Sequence, residues 1–268
     1  MLPDGFLPGH PLREYTVSVK DRKISLLGVR DPFRLLDEPF VKEGFERDER
    51  MPYWADMWPS SISLAECIFE MRERGELPPP RAPEGEWDAL ELGCGVGLAG
   101  IAAAMNGYRV LCTDQEERAL TLTGENARRN GVGHLVGTSL LDWRDDPPGR
   151  FALVLASDCT YEQRNVRPLV LCIRKALMPA SAVPEEASGE ERGHGLPGVA
   201  LLADPDRFSA RSLRWIAGEA GFTVSVQERQ LAMPVHADSA PWLGPKGLDG
   251  AERTHVRMTV NIYSLKTT

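Results

Sequence analysis

Residues 89–100 read ALELGCGVGLAG: a short apolar run, then glycines at 93, 95 and 97, then a run of small helix-forming residues. The pattern predicts a buried strand that turns sharply into a helix. Glycine lets the chain turn tightly and lets a ligand approach the main chain closely. Asp114 lies about 20 residues further on, at the end of a second apolar run, where a carboxylate can accept from both hydroxyls of a ribose. Gly95, Gly97 and Gly100 also satisfy G-x-G-x-x-G, the loop of dinucleotide-binding domains. A third reading is that the glycines only allow the strand and helix to pack closely.

The chain around this loop alternates strand and helix patterns. Residues 87–94, 109–114, 135–140, 151–158 and 199–204 read as strands, and residues 98–106, 116–130, 165–177 and 209–220 as helices. Such alternation predicts a parallel sheet covered on both faces. Residues 223–230 and 256–265 are strand-like with no helix between them, so an antiparallel pair closes the sheet. Ahead of the loop, residues 14–29 predict a β-hairpin and residues 31–51 are charged and irregular. A helix begins at Ser60 or Ser61 with a serine cap and runs to about residue 74, with Leu64, Cys67, Ile68 and Met71 on one face. The expected fold is α/β: a Rossmann-like, seven-stranded, mostly parallel sheet with an antiparallel C-terminal strand, plus an N-terminal hairpin and helix. Residues 1–80 then pack on a ligand-binding domain at 81–268. Residues 179–197 and 231–253, rich in Pro and Gly, are expected as loops.

The chain has 268 residues, 42% of them apolar, enough for one α/β domain with additions. Its formal charge of −8 gives little attraction for phosphates, so no nucleic-acid partner is expected. The five cysteines show no CxxC or metal spacing and read as buried thiols in a reducing compartment. No apolar run reaches membrane-spanning length, and the N-terminus lacks a signal-peptide pattern. The expectation is a cytoplasmic protein with no membrane partner and no metal.

Two features separate the readings of the glycine loop. Glu91 stands just ahead of the glycines, where it would repel a pyrophosphate but could hold the cationic, amino-acid end of S-adenosylmethionine. The antiparallel tail also departs from a dehydrogenase domain. Asp142 and Trp143 follow the third strand of the alternation, where an indole can stack on adenine and a carboxylate can accept from its amine. Trp143 equally suits a rim aromatic that shields the core. Trp54 and Trp58, set among prolines in PYWADMWPSS (residues 52–61), suit a lid over the cofactor, although core packing is the plain alternative.

ASDCTYEQRNVRPLV (residues 156–170) resembles the D-x-x-Y segment of the seven-β-strand protein-lysine methyltransferases. That group includes the enzymes modifying the electron-transfer flavoprotein β-subunit, the valosin-containing ATPase, chaperones and translation factors. PYWADMWPSS and LLADPDR (residues 201–207) resemble elements of the flavoprotein-modifying branch, while DCTY stands nearer the valosin and chaperone branches. Ser60 and Ser61 replace the glycines usual after W-P in the former. The resemblance covers about residues 52–222. It implies S-adenosylmethionine as cofactor and a protein lysine as acceptor. It also implies a cofactor site of Trp58, Glu91, Gly93, Gly95, Gly97, Asp114, Asp142, Trp143 and Ser157.

Open α/β sheets bind ligands at the carboxyl ends of their strands, where Asp158 and Tyr161 fall. Asp158 is expected to orient the acceptor amine, and Tyr161 to form an aromatic wall that favours a cationic alkylamine. The plain alternatives are a helix cap for Asp158 and a packing role for Tyr161. A small-molecule N-methyltransferase and a non-catalytic cofactor-binding scaffold are the competing functions.

Overall fold

The computed structural model describes residues 2–179, 197–234 and 255–267. The two loops expected at 179–197 and 231–253 fall largely outside those residues. Seven strands form one sheet: β3 (Ala89–Leu92), β4 (Val110–Asp114), β5 (Val136–Leu140), β6 (Leu153–Ser157), β7 (Val199–Asp204), β8 (Phe222–Pro234) and β9 (His255–Thr267). Their order is β5-β4-β3-β6-β7-β9-β8. Only β9 runs against its neighbours, pairing antiparallel with both β7 and β8. The strand ends near β3 are therefore flanked on both sides by parallel neighbours, the arrangement that opens a crevice for a ligand.

Every residue of β3 is buried, as a central parallel strand requires. Side-chain alternation divides the strand between two cores. Ala89 faces the core built with α2 (Pro59–Glu73), α3 (Leu98–Met105) and α4 (Glu117–Arg129). Leu90 and Leu92 face the core built with α5 (Gln163–Ala176) and α6 (Leu213–Glu219). Parity therefore sends Glu91 to the α3 side.

The predicted hairpin is β1 (Leu12–Val19) paired antiparallel with β2 (Arg22–Val29), its turn tightened to Lys20–Asp21. Asn126 of α4 and its C-cap Asn130 take the place of a further strand along β2. The Leu27 N–H donates to Asn126 Oδ1 at 2.7 Å while Asn126 Nδ2 donates to Leu27 O at 3.1 Å. One turn on, Ser25 N–H donates to Asn130 Oδ1 at 3.0 Å and Asn130 Nδ2 donates to Ser25 O at 2.7 Å. The i, i+4 spacing puts both amides on one helix face. Alternate residues of β2 present their backbone groups to them.

Residues 31–51 are not irregular, as expected, but fold into a 3-10 turn (Pro32–Asp37) and a helix α1 (Pro39–Asp48). The helix buries only Val41 and Gly44, so its apolar stripe is too narrow to stand out among its charges. Helix α2 lacks the expected serine cap. Pro59 occupies its first turn, Trp58 is the N-cap, and Ser61 Oγ donates to Trp58 O at 2.6 Å. The predicted helix at 209–220 divides into a 3-10 turn (Phe208–Ser212) and α6. All five cysteines are buried and free.

Candidate functional site

A cavity opens at the carboxyl ends of β3, β4, β5 and β6, roofed by α1 and residues 50–58. Its floor is the glycine loop. Gly93 and Gly97 have φ of 67° and 86°, a region that L side chains rarely adopt. A Cβ on Gly93 would lie 2.9 Å from Cys159 Sγ and 3.2 Å from Trp143 Cζ2. A Cβ on Gly97 would meet the Thr123 side chain at 2.7 Å. The loop thus needs glycine both for its turn and for close approach. Asp114 ties it down, accepting from Gly95 N–H at 3.0 Å and from Glu116 N–H at 3.1 Å. Burial raises the Asp114 acid to about 6.

Of the residues predicted for this site, Trp58, Gly93, Gly95, Asp114, Asp142, Trp143, Ser157, Asp158 and Tyr161 line the cavity. Glu91 and Gly97 do not. Glu91 Oε2 is turned beneath α3, where it accepts from Gly100 N–H at 3.0 Å and lies 3.4 Å from Cys112 Sγ. Burial pushes its acid up to about 8, so near neutrality it is mostly uncharged. There it holds the start of α3. Gly97 instead serves as the N-cap of α3. The Asp142 carboxylate is also committed elsewhere. Arg144 Nε and Nη2 bind its two oxygens at 2.8 and 2.6 Å, and these guanidinium bonds hold the acid below the usual range.

Tyr53, Trp58 and Tyr161 form an edge-to-face aromatic wall. Tyr53 lies 4.8 Å from Tyr161 and 5.7 Å from Trp58 between ring centroids. Trp58 Nε1 donates to Tyr53 O at 2.7 Å, which fixes the indole. Burial raises the Tyr161 phenol, keeping it neutral and able to donate. Trp54, expected in the lid, is 8% exposed and packs in the core, yet it also lines the cavity, with its backbone against Gly95.

Asp158 follows β6 with a left-handed φ of 55°, unusual for a residue with a side chain. It is only 7% exposed, and its two oxygens differ. Oδ1 accepts from Arg207 Nη1 at 2.5 Å, whereas the buried Oδ2 has no well-formed hydrogen bond, although the Ser60 hydroxyl lies beside the carboxylate. Burial raises the acid, against the opposing pull of Arg207 and of the neighbouring Ser60 hydroxyl. Arg207 is itself held on three sides. Its backbone N–H donates to Asp204 Oδ1 at 2.7 Å, Asp204 Oδ2 lies 3.5 Å from Nη1, and its guanidinium carbon sits 5.8 Å from the Trp58 ring centroid. Thr160 Oγ1 donates to Asp204 Oδ2.

Sequence reasoning quoted the DPDR segment but gave Arg207 no role. It also missed Tyr53, and it missed Arg144, which reaches Asp48 of α1 at 3.0 Å. Asn126 escaped notice as well, although its Nδ2 donates to Val96 O within the glycine loop at 2.9 Å. Only DPDR carried a usable signal, an arginine three residues after a strand-ending aspartate.

Among the described residues no cluster of His, Cys, Asp and Glu could hold a metal ion. The chain resembles magnesium protoporphyrin IX methyltransferase from Synechocystis in fold, with a TM-score of 0.52 at 15% identity over 89% of this chain and 98% of that one. In sequence it is 31% identical over 130 residues to the histone-arginine methyltransferase METTL23 of Xenopus laevis, covering 46% of this chain and 51% of that protein. It is 32% identical over 129 residues to the protein N-lysine methyltransferase METTL21A of Danio rerio, covering 46% of this chain and 55% of that one. The matches thus span about half the length of these curated relatives. The lysine methyltransferase family model matches residues 46–184, just over half of the chain, and takes in the glycine loop, Asp114, Asp158 and the aromatic wall. By that match the chain belongs to the lysine methyltransferase family.

Proposed function

We propose that the protein is an S-adenosylmethionine-dependent N-methyltransferase acting on a lysine side chain of a protein. One observation carries this: the buried carboxylate of Asp158, held on one oxygen by Arg207, lines the same cavity as the glycine loop and the Tyr53–Trp58–Tyr161 wall. The cavity's chemistry suits the cofactor. Close-approach glycines and Asp114 would hold its ribose side, and the Trp143 indole would take the adenine. When bound, S-adenosylmethionine supplies an electrophilic methyl group on a sulfonium. The chain's own residues must then present a neutral amine. A free lysine has a pKa of about 10.4, and a site poor in water lowers it. The Asp158 carboxylate accepts a hydrogen bond from the amine and orients it, while the aromatic wall excludes solvent and favours the charge that grows on nitrogen.

An arginine acceptor is the second reading, favoured by the likeness to a relative named as a histone-arginine methyltransferase. The free cysteines suit a reducing, cytoplasmic location, and no helix among the described residues is long and apolar enough to cross a membrane.

Calorimetry should show S-adenosylhomocysteine binding and no NAD binding. Asp114→Asn should weaken that binding by about 2 kcal/mol or more, the scale of a lost charge-assisted bond. Tritiated S-adenosylmethionine with a cell lysate should label protein, and hydrolysis should return the label on lysine. Tight NAD binding with no response to S-adenosylhomocysteine would overturn the cofactor assignment. Label on arginine would overturn the acceptor.

A further inference from the structure

Phe208 and Trp215 are the two most exposed large apolar side chains among the described residues, at 78% and 63%. Both lie on the turn-and-helix unit that follows β7. Arg211 stands between them in sequence, its guanidinium carbon 5.2 Å from the Phe208 ring centroid. Phe208 and Arg211 stand in the 3-10 turn and Trp215 in the first turn of α6, and all three are exposed. Arg214 is exposed on the same helix. Among the described residues neither Arg211 nor Arg214 has a carboxylate within ion-pair distance, although acids outnumber bases in the chain by 39 to 31.

Two ties fix this face beside the acceptor end of the cavity. Arg207, adjacent to Phe208, reaches Asp158 and Trp58. Gln163 Nε2, two residues after Tyr161, donates to Ser212 Oγ at 2.7 Å. Exposed aromatics interleaved with arginines are the residue types that dominate binding at protein interfaces.

Resting on the reading of the chain as a protein methyltransferase, we propose that Phe208, Arg211, Arg214 and Trp215 form the docking face for its protein substrate. The occupant is a segment near the acceptor residue that carries apolar side chains and carboxylates. The aromatics take the apolar groups, and the two arginines meet the carboxylates. An acidic segment is thereby drawn to this face although the chain as a whole repels it.

The test uses the full chain saturated with S-adenosylhomocysteine and two fluorescent synthetic peptides. One has a single lysine among leucines and glutamates; the other has arginines in place of the glutamates. The acidic peptide should bind about tenfold more tightly, and Phe208→Ser with Trp215→Ser should remove about that much affinity. Arg211→Glu with Arg214→Glu should reverse the preference. Melting temperature and S-adenosylhomocysteine affinity should hold in every variant. Equal binding of the two peptides, or indifference to these substitutions, would overturn the proposal. So would a wild-type dimer in sedimentation that the serine variant dissolves, since the face would then belong to a second copy. Failure of the wild type to bind S-adenosylhomocysteine would instead sink the reading on which the proposal rests.

Discussion

At the residue scale, the two oxygens of Asp158 do different work. The helix-cap alternative predicted for this residue is removed by position, because α5 begins after Glu162, whose side chain makes no cap bond. What remains is an ionic hold on Oδ1 and a buried Oδ2 with the Ser60 hydroxyl beside the carboxylate. Asp158→Asn preserves size and shape, so it should fold, yet it weakens the carboxylate's grip on both Arg207 and an incoming amine. We expect turnover to fall by roughly 10²-fold, the scale of losing a preorganised electrostatic contact, while S-adenosylhomocysteine affinity stays within a few-fold. A single-turnover methylation assay beside a binding isotherm separates the two; near-normal turnover would remove Asp158 from the chemistry. This position was legible because strand ends in open α/β sheets gather ligand chemistry. Its partner was not, since Arg207 lies 49 residues away in sequence and meets Asp158 only when β7 pairs with β6.

At the scale of elements, the same contrast runs through the fold. Strands β3 to β7 and the helices between them were readable because their periodicity is local and strong. Helix α1 was not, because it buries two residues and its stability comes from neighbours. Arg144 ties Asp48 at its end to Asp142 beyond β5, and Arg164 Nη2 donates to Asp48 O at 3.0 Å. The arginines are exposed and the two carboxylates only half-buried, so their pairing adds little to global stability and weakens in salt. S-adenosylhomocysteine carries no net charge, so a salt effect on its release reports the roof rather than the ligand. Stopped-flow release should speed up between low and high salt, and Arg144→Ala should release quickly at both. An unchanged rate in the variant would mean that α1 does not gate the cavity. Asn126 makes a different kind of link, joining β2 to the glycine loop through three hydrogen bonds. Asn126→Ala leaves those backbone groups without partners and should cost about 3 kcal/mol in denaturant unfolding. Binding of S-adenosylhomocysteine should weaken with it, because Val96 loses its anchor.

For the molecule as a whole, the glycine loop is built over buried acid, and that gives the fold a pH dependence of unusual sign. Glu91 has its ordinary value near 4.5 when unfolded and about 8 when folded. Below 4.5 both states hold the proton and nothing is lost. Between 4.5 and 8 the unfolded chain releases it while the folded chain keeps it, so stability falls as pH rises. Asp114 adds the same sign, but its window ends near 6. Asp48 and Asp142 are held below the usual carboxylate range, and their contribution is lost only as pH falls under about 4. The span from pH 6 to 8 lies above the Asp114 window, and because Glu91 is half-ionised by pH 8 its loss there is about 2 kcal/mol. Glu91→Gln retains an acceptor for the Gly100 N–H and cannot ionise. Its extra amide hydrogens need partners in a buried site, so the variant can be the weaker protein at pH 6. The difference between variant and wild type should nevertheless move by about 2 kcal/mol in the variant's favour by pH 8, with all other titrations cancelling in the comparison. Denaturant unfolding of both proteins at the two pH values measures that movement. A constant difference would mean that Glu91 is ionised in the folded protein throughout, and would return it to the role of a charge available to a cationic ligand.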